Sequence, residues 1–75
     1  MSTNLNEAVS AAQALPPRQK EVLACISAGL LAKETADRLK ISESTVCNTR
    51  KVIYCKLRVT NAVEAARVAF SAGFF

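Results

Sequence analysis

Apolar positions along this chain recur every three or four residues, the interval at which side chains return to one face of an α-helix. Val22, Leu23, Ile26 and Leu30 form one such series, and Leu31, Ala36 and Leu39 a second, expected to be buried together with Thr35. Val46, Ile53 and Leu57 form a third, and a dense run from Ala62 through Phe70 a fourth. Nowhere do apolar and polar residues alternate as in a half-buried strand. The pattern predicts an all-α fold of four main helices. Leu5, Ala8, Val9 and Ala12 share the helical spacing, so residues 3 to 13 read either as a short extra N-terminal helix or as a frayed leader.

Punctuation residues bracket these helices. Pro17 suits a first helical position, where its missing N–H costs nothing, and Gly29 is a natural stop. The second helix spans about Ala32 to Leu39, with Ala36 small enough for a neighbouring helix to approach closely. Lys40-Ile41 is then a turn. Lys40 stands where the backbone tends toward positive φ, which costs a non-glycine residue about 1 kcal/mol, while Ile41 plugs the space between the helices. Ser42 is a good N-cap for a third helix running from Glu43 to about Leu57. Asn61 followed by Glu64 is a capping-box-like start for a fourth helix reaching Gly73.

The third helix turns Val46, Ile53 and Leu57 to the core and carries polar residues at the edges of that stripe, so it is half buried. Its opposite face carries Ser44, Cys47, Asn48, Lys51, Val52 and Cys55. A short helix, a tight turn and a half-buried helix are the parts of a helix-turn-helix, whose second helix fits a DNA major groove about 12 Å wide. Charge agrees with this. Residues 33 to 58 hold seven Lys or Arg against three Asp or Glu, a net +4 that equals the charge of the whole 75-residue chain. Double-stranded DNA is the partner this implies.

Composition narrows the alternatives. An apolar fraction of 51% is too high for a disordered tail. The chain has no stretch approaching the roughly 20 apolar residues of a membrane span, and Met1-Ser2-Thr3-Asn4 lacks the regions of a signal peptide. Cys25, Cys47 and Cys55 have no CxxC spacing and there is no histidine. The expectation is reduced thiols in a cytoplasmic protein, with no metal and no cofactor. Without histidine or a Gly-rich phosphate loop, an enzyme is not expected.

From Leu15 onward the residues fall in the order and spacing of a known group. Leu15, Arg18, Glu21-Val22-Leu23, Gly29-Leu30, Lys33-Glu34, Ala36, Leu39, Ile41-Ser42 and Thr45-Val46 carry the likeness. Ile53, Lys56-Leu57, Val59, Glu64-Ala65 and Gly73 continue it. In these residues the chain resembles the LuxR/FixJ/GerE-type helix-turn-helix DNA-binding domain, and it is GerE-like in length. The resemblance implies residues 1–14 as leader or short helix and 15–75 as the domain. It also implies that the third helix reads DNA and the fourth pairs two subunits. The chain departs from the family pattern at Pro16, where Ser or Thr usually caps, and at Leu31-Ala32 in place of Ser-Asn. Two further departures are Cys47-Asn48-Thr49 in place of a Lys-x-His pattern, and Ala62 in place of Arg.

Asn48 can pair bidentately with adenine, Lys51 can donate to guanine O6 and N7, and Val52 can touch a thymine methyl. The resemblance adds Cys47 as a base-facing position, and Arg50 stands at the rim, within reach of a base or a phosphate. Lys33, Ser44, Thr45, Lys56 and Arg58 are the expected contacts to the DNA backbone, Thr45 alongside the free N–H groups of a helix start. Ala62, Val63, Ala65, Ala66, Ala69 and Phe70 are the expected dimer interface. The expected function is a sequence-specific transcription regulator acting as a homodimer. The alternative is an interaction module that forms a heterodimer with another LuxR-type protein and inhibits it.

Overall fold

A computed structural model describes residues 5–74. Five helices follow one another: α1 (Leu5–Gln13), α2 (Pro17–Ser27), α3 (Ala32–Leu39), α4 (Glu43–Leu57) and α5 (Ala62–Ser71). No strand occurs among the described residues, and none of their helices is long and apolar enough to cross a membrane. Residues 5–13 are helical, so the leader alternative does not hold for them; residues 3 and 4 of the expected span lie outside the described residues.

The helix ends follow one rule. At the end of α2, α3, α4 and α5 the chain turns back so that an amide bonds the carbonyl five residues earlier. Leu30 bonds Cys25 at 3.1 Å, while Ile41 bonds Ala36, Val59 bonds Tyr54 and Phe74 bonds Ala69, each at 3.0 Å. The residue before each of those amides must be left-handed. Gly29 and Gly73 take that conformation without a steric penalty, at φ 90° and 85°. Lys40 and Arg58 take it at φ 59° and 58°, against their Cβ atoms. The strain at Lys40 follows the sequence expectation; that at Arg58 was not foreseen. Lys40→Gly should therefore raise stability by up to about 1 kcal/mol in urea unfolding; a loss would mean that the lysine side chain contributes more than its strain costs.

The core gathers one face of every helix. Val22 and Leu23 of α2 meet Val46, Ile53 and Leu57 of α4, Ala65, Val68 and Ala69 of α5, and Ala36 of α3. Ala8 and Ala12 of α1 join them, as do the loop residues Leu15 and Val59. Thr35 is buried as expected, and Ile41 packs against the core from the turn. Two expected core positions differ. Leu39 is only half buried, and Leu31 is 69% exposed. Leu31 is the N-cap residue of α3, so its side chain leaves the chain before the helical stripe begins and misses the core.

Helix starts are capped unevenly. Ser42 Oγ accepts the Thr45 N–H at 3.0 Å, and Asn61 Oδ1 accepts the Glu64 N–H at 2.9 Å. At α3 only half a capping box exists: Glu34 Oε1 accepts the Leu31 N–H at 2.8 Å, but leucine has no oxygen to return the bond. At α5 the Glu64 carboxylate reaches one residue further back than a capping box would, accepting from the Thr60 N–H at 2.8 Å and the Thr60 hydroxyl at 2.9 Å. The Thr60 backbone bond first, its hydroxyl second, hold the Glu64 carboxyl below its ordinary value of 4.5; Arg67 adds to this, and burial opposes it. A carboxyl that titrates lower in the folded state stabilises the fold above its unfolded value and loses that contribution as pH falls through the folded one. Acid titration should thus fray the start of α5 at pH below about 4.5, and Glu64→Gln should flatten that part of the pH–stability curve. An unchanged curve in the variant would show that the Thr60 bonds carry no linkage.

Candidate nucleic-acid interface

α3, the Lys40-Ile41-Ser42 turn and α4 form a helix-turn-helix. Three local features hold its geometry. The left-handed Lys40 reverses the chain. Ser42 fixes the first turn of α4, and its hydroxyl also donates to Thr45 Oγ1 at 2.9 Å, which leaves the Thr45 hydroxyl hydrogen able to donate outward. From α2, Arg18 Nη1 donates to the Leu39 carbonyl at 3.4 Å while pairing with Glu21 at 3.5 Å. A cation on the last carbonyls of α3 suits the negative end of that helix. Arg18 stood in the sequence only as a residue of resemblance; its partner, 21 positions away, was not readable there.

α4 buries Val46, Ile53 and Leu57 and nothing else. Its remaining surface carries most of the expected recognition residues. Ser44, Thr45, Asn48, Lys51 and Val52 are exposed, together with Cys55. Cys47 is half buried. Lys33 is exposed near the start of α3, and Arg58 is exposed at the left-handed end of α4. Lys56 is exposed, with Nζ donating to Gln19 Oε1 of α2 at 2.9 Å. That bond steers the ammonium along the flank of α4.

Arg50 stands apart from the others. It is half buried and borders a groove of about 280 Å3 formed with Leu30, Leu31, Ala32, Val46 and Ala62. Its Nη2 lies 3.9 Å from Cys47 Sγ. Position 50 follows Val46 by one helical turn, so its Cβ starts on the core side and only the long stem brings the guanidinium to the surface. The structure gathers Asn48, Lys51 and Val52 on the open face and places Arg50 at its inner edge.

α5 divides the six expected interface residues. Ala65 and Ala69 are fully buried in the chain's own core, which corrects their assignment to an interface between subunits. They lie on the stripe shared with Val68, and that stripe closes on α2. Val63 is 72% and Phe70 66% exposed, with the half-buried Ala66 between them at helical spacing. Ala62 is exposed and borders the Arg50 groove. Among the described residues the three cysteines are free thiols, buried at Cys25 and exposed at Cys55.

The profile of the bacterial regulatory proteins of the luxR family matches residues 13–69. The chain belongs to that family. It is a LuxR-type helix-turn-helix domain, a DNA-binding unit of transcription regulation. Two regulators show how far the likeness extends. The HTH-type transcriptional regulator AlkS of Alcanivorax borkumensis is 44% identical over 52 residues, 69% of this chain but 6% of AlkS. The transcriptional regulatory protein DesR of Bacillus subtilis is 37% identical over 71 residues, 95% of this chain and 36% of DesR. The chain thus spans about a third or less of the length of these relatives. The DesR likeness also takes in most of α1, which the family profile leaves out.

Proposed function

We propose that this LuxR-type domain is a sequence-specific DNA reader that lays α4 in the major groove. The observation that carries this is the division of α4 into a buried face of three apolar residues and an exposed face bearing Asn48, Lys51 and Val52. Those three, with Cys47 at the edge, meet base edges. Arg50 joins them if its guanidinium swings outward from Cys47. Lys33, Ser44, Thr45, Lys56 and Arg58 meet phosphates, which position the helix without reading sequence. The two strained cations support this reading, because Lys40 and Arg58 keep charge where glycine would relieve the backbone.

One such domain makes few contacts, and readers of this type gain affinity by occupying two half-sites. Pairing through Val63, Ala66 and Phe70 of α5 supplies the second domain. Binding of the purified chain to DNA selected from random sequence, over a range of salt, tests the reading. The selected site should have two related halves, and log affinity should fall steeply with log salt as phosphate counterions are released. Salt-insensitive or absent binding would reject it.

A second reading has its own observation. Leu31 puts an exposed leucine where the family commonly has a polar residue at the DNA backbone. A chain that paired with another LuxR-type protein, and inhibited it, would bind that partner's α5 while binding DNA weakly. The same experiment separates the two readings.

A further inference from the structure

α4 and α5 touch each other only sparingly; α2 packs on both, most heavily on α5, and α1 packs on both as well. The N-terminal half of α1 meets the end of α4. Glu7 and Ala8 border a cavity of about 200 Å3 with Lys56, Leu57 and Arg58. The last residue of α1 meets the end of α5, where Gln13 Nε2 donates to the Ala72 carbonyl at 3.5 Å. Between these ends Ala8 is 3% and Ala12 0% exposed, and both are small enough to let the α1 backbone come close. α1 therefore spans from the end of one helix to the end of the other.

We propose that α1 is a spacer that, together with α2, sets the angle between the reading helix α4 and the pairing helix α5. In a dimer paired through α5, that angle fixes how far apart the two α4 helices stand. α1 thereby selects the spacing of the half-sites that the dimer can occupy. The proposal rests on the reading of α4 as DNA reader and α5 as pairing helix. It adds a determinant lying almost wholly outside the part of the chain that the family profile matches, residues 13–69. Ala8 and Ala12 are positioning residues in this scheme: neither touches DNA, and both act through α4 and α5. The physical reason is close packing, since a helix pair with little direct contact takes its crossing angle from what packs against both of them, here α2 and α1.

The experiment changes the α1 layer in both directions on the full chain. Ala12→Gly thins it and Ala8→Val thickens it, and Gln13→Ala removes the tie to Ala72 from an exposed position where folding is not at stake. Residual dipolar couplings on the DNA-free protein report the angle between α4 and α5. Affinities are then compared for a single half-site and for paired half-sites at stepped spacings. The expected result is a changed α4–α5 angle and a several-fold shift in the preferred spacing, with single half-site affinity little altered. A helix that only stabilises the fold would lower the melting temperature and reduce all affinities in parallel; that result, or an unchanged angle in all three variants, overturns the proposal. A wild-type chain that binds no DNA would instead defeat the proposed function, and the dipolar couplings would still decide whether α1 sets the angle.

Discussion

Ile53→Ala should cost about 2–5 kcal/mol of folding stability, the range for deleting a large aliphatic side chain from a closed core. Ile53 is fully buried on α4, in one cluster with Val22, Leu23, Val46 and Leu57. The cluster draws on all five helices, which limits how far its members can close on the space. A domain of 75 residues sits low in the usual stability range of about 5–15 kcal/mol, so this single change should leave a marginal fold. Urea unfolding would show it as a lower midpoint at unchanged slope. DNA affinity should fall only by the fraction unfolded, because Ile53 lies on the face away from Asn48 and Lys51. A loss below about 0.5 kcal/mol, the size of an ordinary surface substitution, would place Ile53 outside the core and undo the orientation of α4.

The second large effect is on recognition. Lys51→Ala should weaken binding to the specific site by about 1–3 kcal/mol and relax the choice of base at one position. On the proposed docking, the variant loses a donor to guanine O6 and N7 from the open face of the helix. Lys56→Ala should behave differently, weakening all sequences alike and reducing the salt slope by about 1. Lys56 is held along the flank of α4 by Gln19, where the proposed docking brings a phosphate rather than a base edge within reach. Affinity measurements on the selected site and on random DNA separate the two. Equal losses on both DNAs for both variants would overturn the division between base and backbone contacts.

How far the recognition face was legible in the sequence differs from residue to residue. Val46, Ile53 and Leu57 share a stripe by spacing alone, so the exposure of Asn48, Lys51 and Val52 opposite them followed directly. Arg50 did not follow. Its Cβ position was readable from spacing, but the direction of a long flexible side chain depends on the groove beside it. That groove is made by Leu30, Leu31, Ala32 and Ala62, which come from other parts of the chain. Ala65 and Ala69 failed for a related reason. On a helix apolar on more than one face, sequence cannot say which alanines the chain buries in itself and which it offers to a partner.

Leu31 shows a limit of a different kind. Its apolar character suggested burial, but burial belongs to the helical stripe, and an N-cap residue stands just outside that stripe. Glu64 was placed correctly as a capping residue and wrongly in its partner, since Thr60 and Asn61 differ by one position and only backbone geometry chooses between them.

The sequence by itself determined the helices that family and function rest on. Pro17, Gly29, Ser42 and Asn61 act on their own backbone or on that of residues within one turn, and apolar spacing acts within one helix. Such local rules hold wherever the segment lies. Tertiary structure alone decided that α1 docks, because Leu5, Ala8, Val9 and Ala12 suit a docked helix and a frayed leader equally well. The difference lies in the room that α4 and α5 leave between them, and a void of that shape exists only once those helices have packed.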